Sequence, residues 1–200
     1  MKQYRLVIFD MDGTLTEELL DFAGIRAEIG VPAGAGVLEF MKGLPALERG
    51  KAEAILHRHE IKAAETCVLH PGAAEVLLEL KARGIAVALL TRNSRACAET
   101  VLRRHSLALD FVATREHLPH KPHRDSILNI TRHFDILPEQ TLMVGDYLYD
   151  MQVAQAAGTD AALLWNGDGR EERPAYAATA THVIGKLMDL LGIVDHGRKE

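Results

Sequence analysis

Residues 4–16 read Tyr-Arg-Leu-Val-Ile-Phe-Asp-Met-Asp-Gly-Thr-Leu-Thr, so the apolar run Leu6 to Phe9 is broken off by Asp10, Asp12 and Gly13. A short, bulky apolar run stopped by turn-forming residues reads as a buried strand ending in a turn. That turn carries two carboxylates, two positions apart, at the strand's carboxyl end.

From this strand outward, the next apolar residues keep helical spacing. Leu19, Phe22, Ile25 and Ile29 predict an amphipathic helix over 19–29, stopped by Gly30 and Pro32. Gly34-Ala-Gly36 links it to Val37, Leu38, Phe40 and Met41, where Gly43 and Pro45 punctuate again before a charged helical stretch reaching Thr66. Phe22, Phe40 and Met41 are expected in the core of this helical region. Beyond His70, Pro71 opens a helix whose inner face is Val76, Leu77 and Leu80. Gly84 closes it, and Ile85 to Leu90 forms the next strand.

The helix-strand alternation then repeats. Ser94 caps a helix through Arg104, Asp110 to Ala113 is a strand, and Arg124 to His133 a helix. Thr141 to Val144 is a strand, Tyr149 to Ala157 a helix, Ala161 to Trp165 a strand and Ile184 to Leu191 a last helix. His196 to Glu200 is expected to fray. Apolar strands alternating with helices predict an α/β fold, a three-layer sandwich around a parallel, Rossmann-like sheet. Residues 1–15 and 68–200 form the core of this reading. Residues 16–67, without strands, are a small helical cap inserted after the first strand.

Composition narrows the function. Apolar residues are 48% and charged residues 26% of 200, values of an ordinary water-soluble globular protein. The longest apolar run, near Ile85 to Leu90, is far short of the ~18 residues of a membrane span, and the acids behind Phe9 argue against a signal peptide. A cytoplasmic protein without membrane contact is expected. Net charge is −5 with no basic run, which disfavours nucleic acid as partner. Cys67 and Cys97, thirty positions apart, read as buried thiols, neither a metal pair nor a disulfide framework.

In an open parallel sheet, ligands bind beyond the carboxyl ends of the strands. The residues there are Asp10 and Asp12; Thr91, Arg92, Asn93 and Ser94; Lys121; and Gly145, Asp146 and Asp150. Four carboxylates converging on one crevice repel one another unless a cation joins them, and an oxygen-rich site of this kind suits Mg²⁺. One carboxylate can attack while another, two residues on, moves a proton; that pairing is what an aspartyl-phosphate intermediate needs. Lys121, Thr91 Oγ1 and backbone N–H groups would hold phosphoryl oxygens.

Asp10-Met-Asp-Gly-Thr-Leu-Thr16, Leu89-Leu-Thr-Arg-Asn93, Lys121-Pro122 and Val144-Gly-Asp-Tyr-Leu-Tyr-Asp150, the last followed by Ala154 to Gly158, stand in that order. Together they resemble the four motifs of the haloacid dehalogenase superfamily, in particular its phosphoglycolate-phosphatase-like phosphatases. The resemblance implies that Asp10 is nucleophile and magnesium ligand and that Asp12 is general acid/base, with its main-chain carbonyl on the metal. It implies that Thr91 and Lys121 bind the phosphoryl group, that Asp146 is the third protein ligand, and that Asp150 supports the metal through water or holds Lys121. Dehalogenases lack an acid at the place of Asp12, which disfavours that reaction.

Two features depart from the family pattern. Lys121 is followed by Pro-His-Arg124 where Lys-Pro-x-Pro is common, and 79 positions separate Asp12 from Thr91, which implies a lid of a few short helices. The expected function is Mg²⁺-dependent hydrolysis of a small phosphorylated metabolite by a monomer or homodimer. Alternatives are a phosphomutase, a phosphonate-cleaving relative using a cap lysine (Lys42, Lys51 or Lys62) as a Schiff base, or an idle binding module. Arg92 reads as an exposed arginine, and His117, His120 and His123 as surface histidines. Of Tyr147 and Tyr149, one is expected to pack and the other to line the entrance.

Overall fold

The computed structural model describes residues 3–18, 20–117, 119–165 and 173–195. Leu19 and the tail from His196 lie outside them. The first strand, β1 (Leu6–Phe9), leads into three helices: α1 (Phe22–Ile29), α2 (Val37–Lys42) and α3 (Ala46–Thr66). The alternating part follows as α4 (Ala73–Ala82), β2 (Ala86–Leu90), α5 (Arg95–Arg104), β3 (Phe111–Ala113), α6 (Asp125–Phe134), β4 (Thr141–Gly145), α7 (Leu148–Ala157), β5 (Asp160–Leu164), β6 (His182–Ile184) and α8 (Leu190–Asp195).

All six strands are parallel, in the order β3-β2-β1-β4-β5-β6. The chain builds outward from β1 through β2 to β3, then returns to the other side of β1 with β4. The reversal between β1 and β4 opens a crevice at their carboxyl ends. The register pairs Phe9 with both Leu89 and Val144, so the turns after β1, β2 and β4 emerge side by side.

Every residue of β1 is buried, yet its side chains still alternate. Val7 and Phe9 join the core under α4, α5 and α8, whereas Leu6 and Ile8 face α6 and α7. A strand covered on both faces needs apolar residues at every position, which is why the run is continuous. The three-layer α/β sandwich is therefore observed. Ser94 caps α5, its side chain accepting from the Cys97 amide at 3.3 Å; Gly30 ends α1 in the left-handed conformation at φ +81°.

The C-terminal region differs from the sequence reading. His182–Ile184 is a sixth strand, a 3-10 turn covers Leu187–Asp189, and the last helix begins only at Leu190. A three-residue edge strand is too short to show a period, and Ile184, Leu187 and Leu190 happen to fit helical spacing.

Between Thr16 and Cys67, α1, α2 and α3 share their own apolar cluster of Ile25, Met41, Ala52 and Leu56. Phe22, expected in that cluster, is 45% exposed, and Phe40 is half-buried. Two of the helices are short; α3 runs 21 residues. A single antiparallel bridge, Thr16 to Leu69, ties the two ends of the segment together.

Candidate active site

The turn after β1 is held tightly. The Asp10 amide donates to the Val144 carbonyl at 2.9 Å, and the Leu15 and Thr16 amides both donate to the Met11 carbonyl at 2.9 Å. Met11, Thr14, Leu15 and Thr16 are buried, so the loop is fixed by its own side chains while its acids point into the crevice. Gly13, at φ +75°, is required twice over. The left-handed backbone disfavours a side chain, and a Cβ there would lie 2.3 Å from Asp146 Oδ2.

Lys121 connects the loops. Its Nζ lies 2.6 Å from Asp10 Oδ1 and 2.7 Å from Asp150 Oδ1, with the side chain only 2% exposed. Burial works against its charge, but Asp10 and Asp150 outweigh burial and hold the ammonium above its usual pKa. Asp150 is committed on both sides, since Oδ2 accepts from the Tyr147 amide at 3.1 Å. A Cβ at Gly145 would strike the Asp150 carboxyl at 2.2 Å. That glycine thus makes room for an acid.

Oxygens of Asp10, Asp146 and Asp150 all lie within 4.8 Å of one another. Asp146 accepts from Thr14 Oγ1 at 3.1 Å, and its main-chain carbonyl accepts from the Tyr176 hydroxyl at 3.1 Å. Burial first, then the charges of Asp10 and Asp150, push the Asp146 carboxyl up to about 7. Asp12 stands apart from this trio; its Oδ2 accepts from the Asn93 amide. Burial and the neighbouring Asp10 push it up to about 7 against the opposing pull of Asn93 and Lys121. Burial also raises Asp150, with Lys121 opposing.

Thr91 is buried at the end of β2, its amide donating to the Ala113 carbonyl at 3.0 Å and its Oγ1 accepting from the Asn93 amide at 3.1 Å. The predicted residues Asp10, Asp12, Thr91, Lys121, Asp146 and Asp150 thus all stand around the carboxyl ends of β1, β2 and β4. Within direct contact or metal-sharing range are Asp10, Lys121, Asp146 and Asp150.

Some contributors were not legible as such. Asn93 orients Asp12 through its side-chain amide, and its signal is an amide three residues past the end of β2. Glu60 of α3 is 2% exposed and accepts from Ser94 Oγ at 2.8 Å while pairing with Arg115. Its signal was an acid in the four-residue series Ala52, Leu56, Glu60, Ala64 that forms the buried stripe. Arg92 is corrected: its side chain is 18% exposed, its Nη2 lies 2.7 and 3.0 Å from the two Glu39 carboxylate oxygens, and its guanidinium carbon sits 4.4 Å over the Tyr149 ring. Tyr147 is the exposed tyrosine of the pair, at 55%.

Of the histidines, His117 and His123 are exposed as expected, while His120 is half-buried. Burial, helped by the charges of Arg92 and Lys42, holds His120 below its usual pKa. The two cysteines are buried free thiols.

Comparison with known proteins agrees with this architecture. The family model of haloacid dehalogenase-like hydrolases matches residues 4–158. An uncharacterized hydrolase of Saccharomyces cerevisiae is 33% identical over 173 residues, covering 83% of this chain and 79% of its own. A phosphoglycolate phosphatase of Nitrosococcus oceani is 28% identical over 206 residues, covering 87% and 92%. Among solved structures, a hydrolase from Pseudomonas syringae superposes with a TM-score of 0.79 at 19% identity, covering 98% of this chain and 99% of that one. The matched region holds all four motif loops, and the chain belongs to the haloacid dehalogenase-like hydrolases.

Proposed function

We propose that this chain is a Mg²⁺-dependent phosphatase that hydrolyses a small phosphomonoester through an aspartyl-phosphate on Asp10. The observation that carries the reading is the buried Lys121 ammonium bridging Asp10 and Asp150, with Asp146 in metal-sharing range of both. Mg²⁺ favours one or two carboxylates and retained waters. Asp10 and Asp146 offer that set, because the Asp150 oxygens are already taken by Lys121 and the Tyr147 amide. Burial, and after it the charges of Asp10 and Asp150, raise the Asp146 carboxyl, and a cation beside it would offset those charges. Asp10 and Asp146 by side chain, and Asp12 by its main-chain carbonyl, would hold the ion; when bound, it offsets charge on the transferring phosphoryl group.

The chain's own groups account for the proton and bond changes. An Asp10 oxygen attacks phosphorus while the bond to the leaving oxygen breaks, and protonated Asp12 gives its proton to that oxygen. Water then attacks the phosphorus of the acyl phosphate. Asp12 takes the water proton, the bond to Asp10 breaks, and phosphate leaves with Asp10 restored. A carboxyl near 7 suits both duties at neutral pH. Lys121 and Thr91 hold phosphoryl oxygens, and the helices of residues 16–67 act as the lid over the crevice.

Lys42, Lys51 and Lys62 are all exposed, so none has the desolvated setting that activates a Schiff-base lysine; this favours phosphomonoesters over phosphonates. The two free buried thiols support a reducing, cytoplasmic setting. Screening phosphorylated metabolites for released phosphate with and without Mg²⁺ tests the reading. Asp10→Asn is expected to lose at least ~10³-fold in kcat, as removal of a nucleophile does. Full activity in excess chelator, or an Asp10→Asn protein as fast as its parent, would overturn it.

A further inference from the structure

One inserted helix reaches Asp12 through two loop residues. Glu60, on α3, has its carboxylate at the start of α5: Oε2 accepts from Ser94 Oγ at 2.8 Å and from the Ser94 amide at 3.4 Å, while Oε1 pairs with Arg115. The Glu60 main-chain carbonyl also accepts from the Cys97 thiol at 3.5 Å. Arg115 in turn donates its backbone amide to the Asn93 carbonyl at 3.0 Å. Ser94 is thus gripped by Glu60 directly, and Asn93 by the residue that the same carboxylate holds.

Asn93 stands between this grip and the chemistry. Its side-chain amide donates to Asp12 Oδ2, and its backbone amide donates to Thr91 Oγ1 at 3.1 Å. Asn93, Ser94 and Glu60 are all buried, so a shift of one is passed to the next instead of being absorbed in solvent. Stability alone does not call for a charged link here. Glu60 continues the stripe Ala52, Leu56 and Ala64, and apolar residues in place of a buried ion pair often hold a fold as well or better. What a fully satisfied buried network adds is a single, narrowly defined arrangement.

We infer that Glu60 is a positioning residue for proton transfer: by fixing Ser94 and Arg115 it holds Asn93 where its side-chain amide keeps the Asp12 carboxyl aimed at the leaving oxygen. The inference rests on the phosphatase reading, in which Asp12 protonates that oxygen, and adds the residue of the inserted segment that aims it. Glu60 itself touches neither phosphorus nor leaving group. Without it the Asn93 amide drifts and the Asp12 carboxyl turns with it, and a misplacement of about 1 Å can cost ~10²-fold in rate.

Two esters that share a benzene ring separate aim from fold. Benzyl phosphate expels an alkoxide that needs a proton, whereas 4-nitrophenyl phosphate expels a phenolate that leaves without one. Phosphate release at neutral pH with Mg²⁺ gives kcat/KM, which covers the steps through formation of the aspartyl-phosphate. Glu60→Gln and Asn93→Ala should each lower it by about tenfold or more for benzyl phosphate and by less than about threefold for 4-nitrophenyl phosphate. The double variant should fall no further than Asn93→Ala alone, because the two residues act in series. Should Glu60→Gln fail to fold by circular dichroism, Ser94→Ala carries the same expectation, since it cuts the hydroxyl link and leaves the Glu60–Arg115 pair in place. Equal losses on both esters mark a structural role and overturn the inference, as do additive losses in the double variant. Variants that match an active parent on both esters overturn the inference alone, whereas a parent that releases phosphate from neither ester removes the phosphatase reading and the inference with it.

Discussion

Two glutamates reach from the inserted helices to arginines on the sheet's loops, and their settings are opposite. Glu60 stands mid-way along the 21-residue α3, its side chain 2% exposed, with Arg115, Ser94 Oγ and the Ser94 amide all on its carboxylate. Glu39 stands on the six-residue α2, 44% exposed, on the single nitrogen Nη2 of Arg92. The same pair of functional groups should fasten one helix firmly and the other weakly. Burial and the number of donors decide which is which, since removing one partner of a buried pair leaves the other charge uncompensated, whereas an exposed pair is screened. The inserted helices are therefore expected to be held firmly at α3 and loosely at α2.

The largest expected effect tests the firm hold at α3. Glu60→Ala strips the carboxylate from Arg115 and from the Ser94 amide at the start of α5, and should cost about 3 kcal/mol of stability in urea unfolding. A cost below about 1 kcal/mol would erase the contrast with Glu39.

The acids of the crevice sharpen the comparison, because they are buried without an equal set of donors. Asp12 and Asp146 stand at about 7 in the fold against 3.8 for an ordinary aspartate. The folded state therefore binds more protons than the unfolded chain between those values. Their contribution to stability is complete below about pH 4 and is lost as pH rises through about 7. Chelator-treated protein should melt several degrees lower at pH 8 than at pH 5.5, on the order of 4 °C per kcal/mol for a chain of this size. Mg²⁺ should close the gap by binding the ionised acids of the native state. Asp146→Asn should flatten the slope, and a calorimetric Tm that is equally pH-dependent with Mg²⁺ present would count against the cation site.

Much of this was legible from residues alone, for an identifiable reason. Continuous apolar strands, caps such as Ser94 and the acids at strand ends are local signals, and the parallel fold turns them into one crevice without further information. Hence Asp10, Asp12, Thr91, Lys121, Asp146 and Asp150, which the sequence sets beyond strand ends, stand around one crevice. What escaped was set by pairing across long sequence separations. Nothing near Arg92 announces Glu39, fifty-three positions away, and nothing near Arg115 announces Glu60, fifty-five away. The short β6 escaped because its three residues carry no periodicity. Phe22 was assigned inward on spacing, although the helix it opens leaves it at the surface.

The smallest expected effect tests the Glu39–Arg92 contact. Glu39→Ala should change stability by less than about 1 kcal/mol, because the Glu39 side chain is 44% exposed. Arg92 would also keep its cation–π contact with Tyr149, worth about 0.5–1 kcal/mol at exposed sites. A double-mutant cycle of Glu39 with Arg92 should return a coupling below about 1 kcal/mol, and the cycle of Glu60 with Arg115 a clearly larger one. The ordering of the two couplings matters more than either value. If the Glu39–Arg92 coupling equals or exceeds the Glu60–Arg115 coupling, α2 is fastened as firmly as α3. A weak coupling together with an intact Arg92–Tyr149 stack would show that the ring, rather than Glu39, keeps the arginine in place.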